Sequence, residues 1–371
     1  MTVDALRTPA VLIDKATALR NLDRMQAQAN ARGIRLRPHT KTHKSPLVAQ
    51  WQLDRGAIGI CCAKLGEAEV FADALGSGQS GLPDIRIPYP LHPSNADRVL
   101  ALLDRAHLSF IVDHVGVAKQ WSDVMTRAGK SVDILVKIDV GFHRCGIDPD
   151  TRETLPTIKE IAALPGLRLK GLLSHAGQTY HAHNERELRV VAMAEAQTMG
   201  DLAERCRKDG LPVEEVSAGA TPPARFSLDY KVFTEYRPGN YVYFDRTQVS
   251  LGAATTEDCA LTVLATVVSK PSKHRLVLDS GSKTLTNDGA RGFGSPHGFG
   301  EVVGHHHLHI ERLSEEHATV KVDGTTPLEP GDRVRIIPNH SCVVSNLVDQ
   351  AWLVDGDSVQ PLPIAARGRI T

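Results

Sequence analysis

Between residues 37 and 46 the chain reads RPHTKTHKSP, with two histidines and two lysines and no carboxylate. A lysine at the mouth of a strand, set among other cations, has a lowered proton affinity and becomes a nucleophile toward a carbonyl carbon, which is what a Schiff-base lysine requires. Period-two alternation places Arg37, His39 and Lys41 on one face of the strand that Lys41 ends. Lys44 falls in the loop ahead of the next helix. The plain alternative is an exposed loop lysine, and local spacing by itself favours it.

Four other segments carry side chains suited to chemistry. IDVGFHRCG (138–146) offers Asp139, His143 and Arg144, and an inward-facing arginine there is a fixed cation beside a bound group. SHAGQTYH (174–181) offers His175 and Tyr180 for stacking or proton transfer, or as ordinary polar core contacts. SAGAT (217–221) and RPGNYVYFD (237–245) bring Gly219, Thr221, Gly239, Asn240 and Tyr241 to strand ends, where backbone N–H groups bind phosphate in barrel enzymes. PNHSC (338–342) sets His340 and Cys342 two residues apart, an imidazole and thiolate set that suits Zn²⁺. A buried cysteine beside an unrelated histidine is the competing reading. GHHHLHI (304–310) is louder, with His305, His307 and His309 on one face of a strand, but reads as a polar strand face or loop.

These residues need elements to hold them. Short apolar, β-branched runs at 34–41, 57–63, 84–90, 108–113, 133–140, 169–177, 214–221 and 240–245 alternate with helical segments. In SPLVAQWQLDRG, Ser45 is a natural N-cap, Pro46 suits the first turn and Gly56 ends the helix. AEAQTMGDLAERCRKDG closes on Gly210. Eight strands alternating with helices predict a parallel α/β sheet closed as a TIM (β/α)8 barrel. Beyond residue 246 the texture changes to short strands punctuated by Gly, Pro and Asp, which predicts an all-β domain. The expected division is 14–245 for the barrel and 246–371 for the β domain, with residues 1–13 packing with the latter.

Bulk properties bound the class. With 371 residues, 42% hydrophobic and 23% charged, the chain is globular and enzyme-sized. Forty-three basic residues against 43 acidic ones argue against a nucleic-acid partner. No apolar run reaches the roughly 18 residues of a membrane helix. Six cysteines over this length do not form a disulfide framework, so the cytoplasm is the expected compartment.

Taken together and in order, TPAVLID, RPHTKTHKSP, GICCAKLGEAEV, VGFHRCG, RPGNYV and PNHSC resemble the metal-activated branch of the fold-type III pyridoxal phosphate enzymes, which includes D-threonine aldolases, D-serine dehydratases and enzymes of 3-hydroxy-D-aspartate. The resemblance spans nearly the whole chain and implies an alanine racemase-like barrel. It also implies that Lys41 carries pyridoxal phosphate, that Arg144 lies near its ring, and that Gly219, Thr221, Gly239, Asn240 and Tyr241 hold its phosphate. His340 and Cys342 correspond to metal ligands. The dehydratases read His-x-Cys where the aldolases read His-x-Asp, so HSC favours a dehydratase and Zn²⁺, with Mn²⁺ or Mg²⁺ as alternatives.

The implied reaction converts a D-3-hydroxy amino acid, of the D-serine or 3-hydroxy-D-aspartate type, to a 2-oxo acid and ammonia, with Lys41 removing the Cα proton. The runner-up is D-threonine aldolase-type cleavage to glycine and an aldehyde, with His175 or a metal-bound hydroxide as base. Tyr180 is expected at the same site. A racemase or a cofactor carrier has no use for a metal pair. The family also implies a homodimer.

Overall fold

The computed structural model describes residues 1–76, 81–294 and 296–371. The chain begins in a nine-stranded sheet and leaves it for a barrel. Strand β1 (Ala10–Asp14) lies between partners from the far end of the sequence, antiparallel to residues 261–264 and parallel to residues 352–354. This register ties the first residues to the β domain.

The barrel follows, with β2 (Arg35–Leu36), β3 (Ile60–Cys61), β4 (Asp84–Pro90), β5 (His107–Val112), β6 (Val132–Lys137), β7 (Leu167–Leu173), β8 (Glu215–Ala218) and β9 (Glu235–Tyr236). Neighbours pair in parallel in the order β2-β9-β8-β7-β6-β5-β4-β3. A bridge between His39 and Cys61, with Ile58 N–H donating to the Leu36 carbonyl at 2.9 Å, joins the two ends of that series. The helix Pro46–Asp54 starts after Ser45 as expected, although the Ser45 side chain makes no cap bond. The helix Glu185–Lys208 ends just ahead of Gly210, whose φ is +77°.

One expected strand is misplaced. The eighth barrel strand is Glu235–Tyr236, and 240–245 instead forms a turn, Asn240–Val242, closed by Phe244 at φ +52°. The aromatic run there is apolar because it is buried against neighbouring helices, not because it is extended. The rest of the sheet comprises β10 (Leu261–Ser272), β11 (Arg275–Leu278), β12 (Glu301–Val302), β13 (Leu308–Leu313), β14 (Ala318–Val322), β15 (Arg333–Ile337), β16 (Gln350–Asp355) and β17 (Ser358–Pro363). Among the described residues no helix is long and apolar enough to cross a membrane.

The barrel interior is charged rather than aliphatic below the site. Glu235 accepts from Arg37 at 2.7 Å, from Arg86 at 2.5 Å and from Ser217 at 2.6 Å. Burial would raise the Glu235 carboxyl, but Arg86 and Arg37 outweigh it and bring it down to about 2, from an ordinary 4.5. A carboxyl depressed on folding adds stability above its unfolded value, and that stability is lost as pH falls through the folded value. The contribution of Glu235 is therefore expected to disappear between pH 4.5 and about 2. Glu235→Gln leaves two buried guanidinium groups short of a partner and should cost about 3–5 kcal/mol. Urea unfolding of the variant beside the parent, at pH 7, measures this.

Candidate active site

The C-terminal ends of the barrel strands and one edge of the β domain enclose a cavity of about 370 Å³. This is the end of a TIM barrel where chemistry is found. Lys41, on the turn Thr40–Thr42 beyond β2, lines it, and no ion pair or hydrogen bond is made by its Nζ among the described residues. The other basic residues of RPHTKTHKSP are spoken for. Lys44 is buried in an ion pair with Glu67 at 2.5 Å, and His43 is held neutral, down to about 3, chiefly by burial. Arg37 points into the ionic layer beneath.

His39 lines the cavity beside Lys41 and is neutral, because burial first and then the Lys41 charge disfavour its proton. His175 is kept neutral by the same two causes, and its Nδ1–H donates to the Gly219 carbonyl at 2.5 Å. Tyr180 lines the cavity too, and its hydroxyl accepts from Gln248 at 3.4 Å. Arg144 sits exposed at the rim, 5.1 Å over the Phe142 ring. Asp139 is consumed by its own loop: its Oδ1 accepts from the N–H groups of Gly141, Phe142 and His143.

The phosphate-side residues divide. Gly219 and Gly239 keep two loop ends close, since a Cβ on Gly219 would stand 2.6 Å from the Arg237 carbonyl oxygen and one on Gly239 3.2 Å from Thr42 Oγ1. Thr221 Oγ1 accepts from Tyr241 N–H at 3.2 Å, leaving its own proton to donate into the cavity. Tyr241, by contrast, turns its ring away, and its hydroxyl accepts from Gln52 at 3.1 Å. Asn240 aims its amide at Asp245 (2.6 Å), Ser341 Oγ (3.1 Å) and Cys342 Sγ (3.6 Å). A free amine, a hydroxyl donor and glycine-lined loop ends fit pyridoxal phosphate.

His340 and Cys342 complete the cavity from the β domain. His340 precedes the helix Ser341–Leu347 and Cys342 opens its first turn. Asp245 holds that start in place, accepting from Ser341 N–H at 2.9 Å, while Thr247 donates to the Asn339 carbonyl at 2.8 Å. Burial alone would raise the Cys342 thiol, yet His340 and Lys41 bring it below its ordinary value. Burial works against the His340 proton, but Cys342, Asp245 and Asp288 outweigh it and raise the imidazole to about 10. A thiolate beside an imidazole is a donor set that suits Zn²⁺ once the shared proton is displaced. Among the described residues no group of three such donors has metal-binding geometry.

His340 Nδ1 donates to Asp288 Oδ2 at 2.7 Å, which fixes the ring and its tautomer. Such carboxylate partners typically set metal affinity by about 10–100-fold. Asp288→Asn is expected to weaken Zn²⁺ binding by that factor in a metal titration. The histidine run lies elsewhere: His305 and His307 meet edge-on with ring centres 5.8 Å apart in a turn, His309 pairs with Asp323, and none lines the cavity.

Several cavity residues escaped the sequence. Arg237 is buried and donates to Ser217 Oγ at 2.7 Å, which links the cavity floor to Glu235. Lys137 ends β6 on that floor, held down to about 8 chiefly by burial and then by Arg237. Its signal was a lone lysine ending the apolar run DILVK. Gln248, Asp288 and Arg291 come from segments with no motif at all.

Comparison with known proteins accords with this geometry. The family described as "Alanine racemase, N-terminal domain" matches residues 13–247, and the "Putative serine dehydratase domain" matches residues 260–354. The chain is 34% identical to D-threonine aldolase of Arthrobacter sp. over 97% of its length and 93% of that relative. It is also 34% identical to D-threo-3-hydroxyaspartate dehydratase of Delftia sp. (strain HT23), over 97% of each chain. A D-threo-3-hydroxyaspartate dehydratase, solved as a cysteine-to-alanine variant in the metal-free form, superposes with a TM-score of 0.90 at 31% identity over 98% of each chain. The chain belongs to the family in which an alanine racemase-like barrel is joined to a serine dehydratase domain, and it is a pyridoxal phosphate-dependent lyase.

Proposed function

We propose that this lyase is a metal-dependent dehydratase of D-3-hydroxy amino acids, of the D-serine or 3-hydroxy-D-aspartate type, releasing a 2-oxo acid and ammonia. The observation that carries the reading is Cys342 beside His340 in the cavity that Lys41 enters. Overall identity does not separate the two activities, since an aldolase and a dehydratase match equally well. The second donor tilts the choice, because Cys342 gives the His-x-Cys of the dehydratases that the sequence resembles, and a thiolate favours Zn²⁺ where a carboxylate suits harder ions.

Pyridoxal phosphate held through Lys41 supplies an electron sink for the pair left at Cα, and Zn²⁺ on His340 and Cys342 supplies a Lewis acid for the departing β-hydroxyl. The chain's own residues do the rest. Lys41 Nζ is the amine positioned to take the Cα proton. Arg144, at the rim, is the fixed cation that the resemblance puts beside the cofactor ring. Tyr180 and Gln248 wall the metal side and exclude water from it. His39 and His175, whose proton affinity is held low by burial and then by Lys41, do not compete with Lys41 for the proton.

The second reading, retro-aldol cleavage, needs a base for the β-hydroxyl proton, either a metal-bound hydroxide or a side chain such as His175. The depressed proton affinity of His175 makes it a poor one. Product identification separates the readings: protein reconstituted with pyridoxal phosphate and Zn²⁺ is expected to yield ammonia and a 2-oxo acid. Glycine with an aldehyde would establish the aldolase instead.

A homodimer and a cytoplasmic location belong to the same proposal. The first rests on the family resemblance, and the second on six free cysteines and a thiolate donor that needs a reducing compartment.

A further inference from the structure

The cavity holds a cation that the dehydratase reading leaves without a task. Arg291 lines it from the β-domain side, exposed at the mouth, and no carboxylate lies within ion-pair distance of its guanidinium among the described residues. Asp288, three residues earlier on the same segment and the nearest candidate in sequence, is engaged by His340 instead. The backbone at Arg291 is anchored: its main-chain N–H donates to Thr247 Oγ1 at 3.2 Å, and that hydroxyl donates to the carbonyl of Asn339, next to His340. Thr247 thus ties the Arg291 backbone to the segment that carries His340, and Asp288 of the Arg291 segment bonds His340 itself, so Arg291 enters the cavity from the side of the His340–Cys342 pair.

A substrate whose β-hydroxyl is directed at that end must place its remaining Cβ substituent there as well. In D-serine that substituent is hydrogen and in D-threonine a methyl group. Neither gives an arginine anything to bond, and each would displace water from it without return. A carboxylate on Cβ matches the planar guanidinium fork in charge and shape. Arg144 comes from the barrel and Arg291 from the β-domain segment, so the two guanidinium groups enter the cavity from separate parts of the chain.

We propose that Arg291 is a specificity-determining residue that binds the distal carboxylate, and that the preferred substrate is a 3-hydroxy-D-aspartate rather than D-serine or D-threonine. The assignment rests on the proposed placing of the β-hydroxyl at His340 and Cys342.

The test compares the reconstituted holoenzyme with Arg291→Gln and Arg291→Lys on D-threo-3-hydroxyaspartate and D-serine. Arg291→Gln should lower kcat/KM for the dicarboxylate by about 10- to 100-fold, mainly through KM, and leave D-serine within about twofold. Arg291→Lys should recover part of the loss. Inhibition by succinate, which has no bond to cleave, should weaken by a similar factor, and this readout is independent of which product forms. An equal fall on both substrates, or no change on either together with unchanged succinate inhibition, overturns the assignment. Glycine and glyoxylate from a parent enzyme that still loses dicarboxylate selectivity in Arg291→Gln would sink the dehydratase reading and leave Arg291 in place.

Discussion

Lys41→Ala is expected to abolish the visible absorption of the lysine-bound cofactor and to lower activity by at least about 10³-fold. Two roles are lost in one change, the covalent anchor and the base for the Cα proton, and the second alone is worth about 10²- to 10⁴-fold. Folding should survive, because Lys41 is exposed on its turn and its side chain bonds to nothing in the core. Surface changes of that sort stay within about 0.5 kcal/mol. Borohydride reduction followed by peptide mapping checks the assignment. A variant that still shows the band, and still fixes the cofactor on reduction, has its anchor elsewhere, and Lys137 on the cavity floor would be the next lysine to test.

Cys342→Ala should leave the cofactor spectrum nearly intact while metal content falls and activity drops by about 10²-fold or more. The loss follows from removing a Lewis acid worth several kcal/mol, at 1.4 kcal/mol for each factor of ten. The substitution also strips an acceptor from Thr42 Oγ1, at 3.2 Å, and from Asn240, at 3.6 Å. Asn240 lines the cavity, where water can replace the sulfur, and the fold should hold. Cys342→Asp is the informative companion. A harder donor in the same place should shift preference from Zn²⁺ toward Mn²⁺ or Mg²⁺. Elemental analysis of each purified variant beside its absorption spectrum separates the metal effect from the cofactor effect.

What could be read from the sequence follows from how local each signal is. Lys41, His340 and Cys342 sit in short contiguous motifs, but spacing alone favoured a loop lysine and an unrelated buried cysteine, and the resemblance of the motifs taken in order is what singled them out. Seven barrel strands were legible because each is a short apolar run between helices with caps. The eighth was not, since YVYF is apolar through burial of a turn, and the strand Glu235–Tyr236 offers only two residues, one of them a charged residue buried against two arginines. Asn240 was expected at the phosphate, but side-chain direction is a matter of rotamer and neighbours, and its amide points at Asp245 and Cys342. Asp288 joins His340 across 52 positions of sequence, which no local pattern can reveal.

The central claim is that a metal on His340 and Cys342 drives loss of the β-hydroxyl from a D-3-hydroxy amino acid. The most direct measurement follows ammonia and 2-oxo acid release from D-threo-3-hydroxyaspartate by chelator-stripped, pyridoxal phosphate-loaded enzyme as Zn²⁺ is restored. Both products should appear in equal amounts and rise with Zn²⁺ until about one ion is bound per chain, and Cys342→Ala should not respond. Release that is already complete in the stripped enzyme, or glycine in place of ammonia, would contradict the account.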